Sequence, residues 1–396
     1  MMFFDDWKTR IEADIENARK NLERKRQILV RLKQVHQQVR EVIDSGSTSA
    51  TGIPWELAHG LSILGDVADD KPLPTTEAEL PTRVMDDGTL LGCRKWELLD
   101  PKWGEALVEW IEHLTDRAPW GNAPVSVAIP NQVSLAIAGD WGTGDYIAAK
   151  VASAISGQPV DYTIHLGDVY YAGVRADEEK DLSAWPAGTQ GQFTLNSNHE
   201  MYSGAVGYFS TLPRHFPLQK GTSYFSLQND NWLIIGLDTA YCADAMNLYM
   251  DGALGEQQTA WLKQLTQGCS KKIMLLSHHQ GYSLDGTSKT ALYSQVVAAL
   301  GREPDYWYWG HLHNAICYQP QGKLRGRCVG HGAIPYGKAS MLNNRAQTVA
   351  WTETQSAADD QYPERILNGY VRLSLDEATL RETFIDENGR KRWPLP

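Results

Sequence analysis

The chain is poor in several things that would each point to a function. It has only five cysteines, Cys93, Cys242, Cys269, Cys317 and Cys328. The number is odd and no two form a CxxC pair, which argues against a disulfide framework and a structural zinc knuckle. Basic residues are outnumbered by acidic ones, and the net charge of −11 excludes a broad cationic face for nucleic acid. No apolar run approaches the roughly 18 residues of a membrane-spanning helix. The opening "MMFFDDWKTR" lacks the basic start and long apolar stretch of an export signal, so a cytoplasmic location is expected. No internal repeat stands out. An acidic protein can still bind phosphate where metal ions supply the positive charge.

What is present divides the 396 residues into three parts. Residues 6–44 contain neither Pro nor Gly. Alternate steps of four and three land on Ile11, Ile15, Ala18, Leu22, Lys25, Leu29, Leu32, His36, Val39 and Ile43; all but Lys25 and His36 are apolar. This a/d spacing predicts one long helix over 1–44, either packed on its own domain or forming a coiled coil that dimerises or holds a partner. Residues 45–130 begin with the linker-like "SGSTSATG" and continue as mixed loop and helix, with an amphipathic stretch from Trp103 to Arg117.

From residue 131 the texture changes. Short apolar strands alternate with helical stretches, which predicts an α/β sheet. The strands end in polar clusters: "VSLAIA" in Gly139-Asp140, "YTIHL" in Gly167-Asp168, "KIMLLS" in His278-His279, and "YWYW" in Gly310-His311. Ligands of such sheets bind beyond the carboxyl ends of the strands. The last part, with turns at Asp376-Glu377 and Asn388-Gly389, reads as a hairpin and a closing strand.

Collected in order, the motifs are "GDWG" (Asp140, Gly142), "GDVYY" (Asp168, Tyr171), "SNHE" (Asn198, His199), "LLSHH" (His278, His279) and "GHLH" (His311, His313). Carboxylate, amide oxygen, imidazole and phenol without thiolate suit hard to borderline cations. The candidates exceed what one ion can use, and two ions sharing a bridging carboxylate would employ them all.

These motifs resemble the calcineurin-like metallophosphoesterases over residues 131–396, and within them the purple acid phosphatase branch, where Gly replaces a first-motif His and a Tyr is added. Gly142 and Tyr171 are both halves of that exchange. The resemblance implies a four-layer αββα sandwich, here with an N-terminal helical extension. It implies two metal ions: Asp140, Asp168, Tyr171 and His313 on the first, Asp168, Asn198, His278 and His311 on the second. Iron is expected in the tyrosine-bearing position, with Fe, Mn or Zn in the other. Asp168 would bridge, a metal-bound hydroxide would attack phosphorus in line, and His199 would contact the phosphate or protonate the leaving oxygen. His279, and His331 in the glycine-rich "GHGAIPYG", are the further candidates for substrate contact. The chain departs from the pattern at Ser197, where a glycine is usual. The implied function is hydrolysis of a small phosphorylated substrate, a phosphomonoester first. The alternative is a catalytically weak scaffold of the same fold that binds a partner through its N-terminal helix.

Overall fold

Residues 81–394, apart from positions 101, 115 and 122, are described by the computed structural model, together with position 30. The helix expected over 1–44 and the linker that follows lie outside the described residues. The strands are β1 (Arg83–Val84), β2 (Leu90–Leu91), β3 (Val125–Ala128), β4 (Gln132–Ala138), β5 (Tyr162–His165), β6 (Gly191–Thr194), β7 (Phe225–Gln228), β8 (Trp232–Leu237), β9 (Lys272–Ser277), β10 (Tyr306–Trp309), β11 (Ala315–Tyr318), β12 (Arg325–Val329), β13 (Val349–Thr352), β14 (Gly369–Asp376), β15 (Thr379–Asp386) and β16 (Lys391–Trp393). The main helices are α1 (Trp103–Glu112), α2 (Tyr146–Ser156), α3 (Arg175–Asp181), α4 (Asn198–Tyr202), α5 (Val206–His215), α6 (Glu256–Thr266) and α7 (Ala291–Leu300).

Two sheets form the centre. One has the order β16-β15-β14-β4-β5-β6, the other β13-β11-β12-β10-β9-β8-β7-β3. Successive side chains of a strand point to opposite faces, and the sequence uses both. In β4, Leu135 and Ile137 join the apolar layer between the sheets, while Ala136 and Ala138 meet the helices outside. In β9, Met274 and Leu276 point inward, and Ile273 and Leu275 face α6 and α7. Strands covered on both faces read as continuous apolar runs, which is why these segments were legible as strands. The result is the expected αββα sandwich. Truncating an inter-sheet residue such as Leu135 to Ala is expected to cost about 2–5 kcal/mol.

Residues 81–128 belong to the same body. β3 lies at the edge of the eight-stranded sheet, parallel to β7. Trp96, Trp103 and Trp110 are buried in the helix-side core over the six-stranded sheet. Among the described residues no helix is long and apolar enough to cross a membrane.

Parallel registers put the motifs side by side. Ala138 pairs with His165, and His165 with Thr194. Ser277 pairs with Trp309. The segments after β4, β5 and β6 therefore emerge together from one sheet, and those after β9 and β10 from the other.

Candidate metal centre

The first two loops are joined by their backbones. Gly142 donates to the Asp168 carbonyl (3.0 Å), and Tyr170 donates to the Gly142 carbonyl (2.9 Å). A side chain at Gly142 would meet the Asp168 oxygen at 2.7 Å and Val169 at 2.8 Å. Glycine is thus required here by close approach of the loops. Asp140, Asp168, His311 and His313 all have positive φ, between 50° and 77°. Such residues carry strain of order 1 kcal/mol or more and concentrate where side chains must be aimed.

Two groups of donors result. Asp140, Asp168 and His313 place ligand atoms within 4.8 Å of one another, as do His278, His279 and His311. His313 Nε2 lies 3.3 Å from Asp140 and 3.8 Å from Asp168 Oδ2. The other oxygen of Asp168 lies 3.3 Å from His278 Nε2. Asp168 therefore faces both groups.

The second group is an encounter of acceptors. His278 Nδ1 sits 3.0 Å from the Leu166 carbonyl, so it is the nitrogen that carries the proton. The neutral ring then presents a lone pair at Nε2, 2.8 Å from Asn198 Oδ1 and 3.1 Å from His311 Nδ1. The Asn198 amide nitrogen donates to Tyr202, which turns its oxygen inward. Burial lowers the His278 pKa, and burial with His279 and His278 holds His311 well below the usual imidazole range. His278 Nε2 and Asn198 Oδ1 are two lone pairs that converge at 2.8 Å, an arrangement a cation satisfies.

The first group shares charge differently. Burial and the neighbouring Asp168 push the Asp140 carboxyl well up. Burial also opposes the charge of Asp168, but His199, His278 and the bond to His313 outweigh it and hold that carboxyl well down. His313 resists burial because the two carboxylates raise it to about 9.

His199 is fully buried, with Nδ1 2.6 Å from the Tyr171 carbonyl and Nε2 3.8 Å from Asp168 Oδ2. It thus looks into the centre. Ser197 is the N-cap of α4 and accepts from His199 N–H (3.1 Å). Its hydroxyl also donates to Asp168 Oδ1 (2.5 Å) and touches Glu200. Burial, then Asp168, raises Glu200 to about 8. A serine that looked like a departure in sequence is a cap with a second bond to the shared carboxylate.

Three expectations are corrected. Tyr171 does not reach the donors: its hydroxyl binds Asp100 Oδ2, and its ring stacks on Trp96 at 4.4 Å. Tyr170 is there instead, 2.7 Å from Asp168 Oδ2 and 3.0 Å from His313 Nε2. His331 is buried with its ring stacked 6.0 Å from Phe384, which faces the inter-sheet core, so it is turned away from the centre. His279 adjoins His311, yet both its nitrogens are held by the protein, Nδ1 by Thr239 Oγ1 (2.8 Å) and Nε2 by the Tyr249 carbonyl (2.7 Å). It supports the loop rather than offering an atom to a substrate. Asp100, Trp96 and Trp103 carry no motif, and sequence reading missed them.

No family model matches the chain, and no curated protein matches it. Among solved structures the chain is similar to "GAP50 the anchor in the inner membrane complex of Plasmodium", at 14% identity over 65% of this chain and 85% of that one, TM-score 0.45. It is also similar to a dimetal phosphatase from Danio rerio, at 10% identity over 64% and 96%, TM-score 0.44. A cold-active protein-tyrosine phosphatase of a Shewanella species follows at 10% identity over 70% and 86%, TM-score 0.31. Likeness this distant carries no argument for fold or function. The αββα architecture, with side-chain groups able to hold metal, stands on the layer order and strand-end clusters described above.

Proposed function

We propose that the protein is a dinuclear metal-dependent phosphohydrolase of small phosphate esters, monoesters first, with affinity to the purple acid phosphatase branch. The observation that carries this reading is the pair of buried donor groups with Asp168 between them. Its Oδ1 faces His278 and its Oδ2 faces Tyr170 and His313. Asp140, Asp168 and His313 would hold one ion, and Asp168, Asn198, His278 and His311 the other. Tyr170 takes the phenol position expected of Tyr171. When bound, two such ions lower the pKa of a water and offset charge on the phosphoryl oxygens. The chain's own share is orientation. The Leu166 carbonyl fixes the His278 tautomer, Tyr202 turns the Asn198 amide, and Ser197 steadies Asp168. His199, held at Nδ1, would serve the leaving oxygen as the imidazolium, giving up the proton on Nε2 and returning to the neutral form that keeps Nδ1–H on the Tyr171 carbonyl.

The test is metal analysis with an ultraviolet–visible spectrum of protein purified aerobically, alongside hydrolysis of para-nitrophenyl phosphate. About two metals per chain and hydrolysis are expected. If the first ion is Fe³⁺, a visible band is expected that Tyr170→Phe abolishes and Tyr171→Phe keeps. Protein that neither contains nor takes up metal would overturn the reading in favour of a non-catalytic scaffold.

A further inference from the structure

Tyr171 is left with an unusual pair of contacts once it is removed from the metal centre. Its side chain is gripped by Trp96, Asp100 and Trp103, and its main chain holds His199. The hydroxyl donates to Asp100 Oδ2 at 2.5 Å. One face of the ring stacks on Trp96 at 21°, and Trp103 meets it edge-on at 4.7 Å. Asp100 is itself fixed. Its Oδ2 also accepts the Trp96 N–H (2.9 Å), and its Oδ1 accepts the Lys102 N–H (3.1 Å). The Trp103 indole donates to the Glu97 carbonyl. The cage is therefore built from a short turn with its own hydrogen bonds. At the other end of the same residue, the Tyr171 carbonyl accepts from His199 Nδ1 at 2.6 Å. A carbonyl only accepts, so this contact places the proton on Nδ1 and turns Nε2 toward Asp168.

We infer that Asp100 and Tyr171 are positioning residues for His199: Asp100 anchors the Tyr171 phenol, and the anchored residue presents the carbonyl that fixes the tautomer and aim of the imidazole. The inference rests on the role proposed for His199. It assigns residues 96–103 a part in the chemistry. A donor misplaced by about an ångström can lose on the order of a hundredfold in rate, so a cage built around one carbonyl has a purpose.

The consequence is specific to leaving groups. A good leaving group departs without a proton, whereas an alkoxide needs one, which His199 supplies from Nε2 of its imidazolium while Nδ1–H stays on the Tyr171 carbonyl. The experiment compares para-nitrophenyl phosphate with glycerol phosphate, using the full metal-loaded chain and variants Tyr171→Phe, Asp100→Ala, Asp100→Asn and His199→Gln. Tyr171→Phe and Asp100→Ala are expected to lower kcat on glycerol phosphate about tenfold relative to the nitrophenyl ester, a fraction of the full general-acid effect. Metal content should stay at the parent value. Asp100→Asn should recover part of the rate, because its amide oxygen accepts the same phenol while its amide nitrogen cannot accept the Lys102 N–H. The double variant Tyr171→Phe/His199→Gln should be no worse than His199→Gln alone. Equal losses on both esters in Tyr171→Phe, or none, would overturn the relay. Should Asp100→Ala fail to fold, Tyr171→Phe keeps the ring and carries the test. The two levels separate cleanly. If His199→Gln lowers both esters alike, the role proposed for His199 is wrong. If it discriminates while Tyr171→Phe does not, that role stands and the relay falls.

Discussion

Two buried charged clusters in this protein are built on opposite rules. Around Arg365, which is fully buried, every group has a complement. The guanidinium binds Asp359 at 2.6 Å and Glu387 at 2.6 Å, and a further N–H reaches Asn368. Tyr146 donates to Asp359, and Lys150 lies 3.3 Å from Glu387. The network ties α2, the loop before β14 and the end of β15 into one corner. Around Asp168 the acceptors face one another. Nε2 of His278 and Oδ1 of Asn198 meet at 2.8 Å with no proton between them, while the one imidazole that the carboxylates raise, His313, lies on the other side of Asp168. A completed network holds structure, and an incomplete one is shaped for something the chain does not supply. Burial of the central residue alone would not have told them apart, since Arg365 and Asp168 are both buried.

The comparison can be broken from either side. The largest effect is expected from Asp168→Asn. Changes to outer-shell partners of a metal typically cost 10–100-fold in activity, and loss of the shared carboxylate should exceed about 100-fold, with metal content below the parent by elemental analysis. Parent-level hydrolysis in clean variant protein would remove the bridge from the reading. Arg365→Met should act on the other cluster only. It strands two buried carboxylates, for which about 3–5 kcal/mol of stability is expected to be lost. A denaturant midpoint shift without change in metal stoichiometry is the expected result.

Removal of metal by a chelator comes next. An ion present at about 100 times its dissociation constant stabilises the fold by about 2.7 kcal/mol. Thermal unfolding should shift down by that amount in the parent and hardly at all in Asp168→Asn. The smallest effect concerns acid. Burial opposes ionisation of Asp359, but the Tyr146 hydroxyl and Arg365 outweigh it and hold the carboxyl at about 2. Glu387 is lowered in the same sense, with Arg365 outweighing burial. Both are depressed below their unfolded values, near 3.9 and 4.3. Their contribution is complete above those values and is lost as pH falls through the depressed folded values, which for Asp359 is about 2. Stability of metal-free Arg365→Met should therefore respond less to pH between about 4 and 2 than that of the metal-free parent.

Much of the fold was legible because strands covered on both faces leave continuous apolar runs. The helical stretches expected between the strands appear as elements such as α2 and α6, with Asp145 capping α2 through the Ile147 and Ala148 N–H groups. Asp140, Asp168, Asn198, His278, His311 and His313 were legible because each follows a strand end, and parallel registers align those ends. Tyr170 and Tyr171 were not separable. They are neighbours in one loop, and which of them turns inward depends on Trp96, Asp100 and Trp103. Those residues have no spacing that announces them. His331 sits in a glycine-rich loop that suggested a pocket, but its ring is turned onto Phe384.

The left-handed backbone at Asp140, Asp168, His311 and His313 bears on how this site ages and how it can be copied. Glycine is easier on such a conformation than any aspartate or histidine, by about 1 kcal/mol. At these four places local backbone preference and function pull apart. A lineage released from its chemistry is expected to drift there toward glycine or asparagine while keeping every strand, and would look intact by shape alone. A designer moving the same side chains onto another scaffold must bring the four turns along with them.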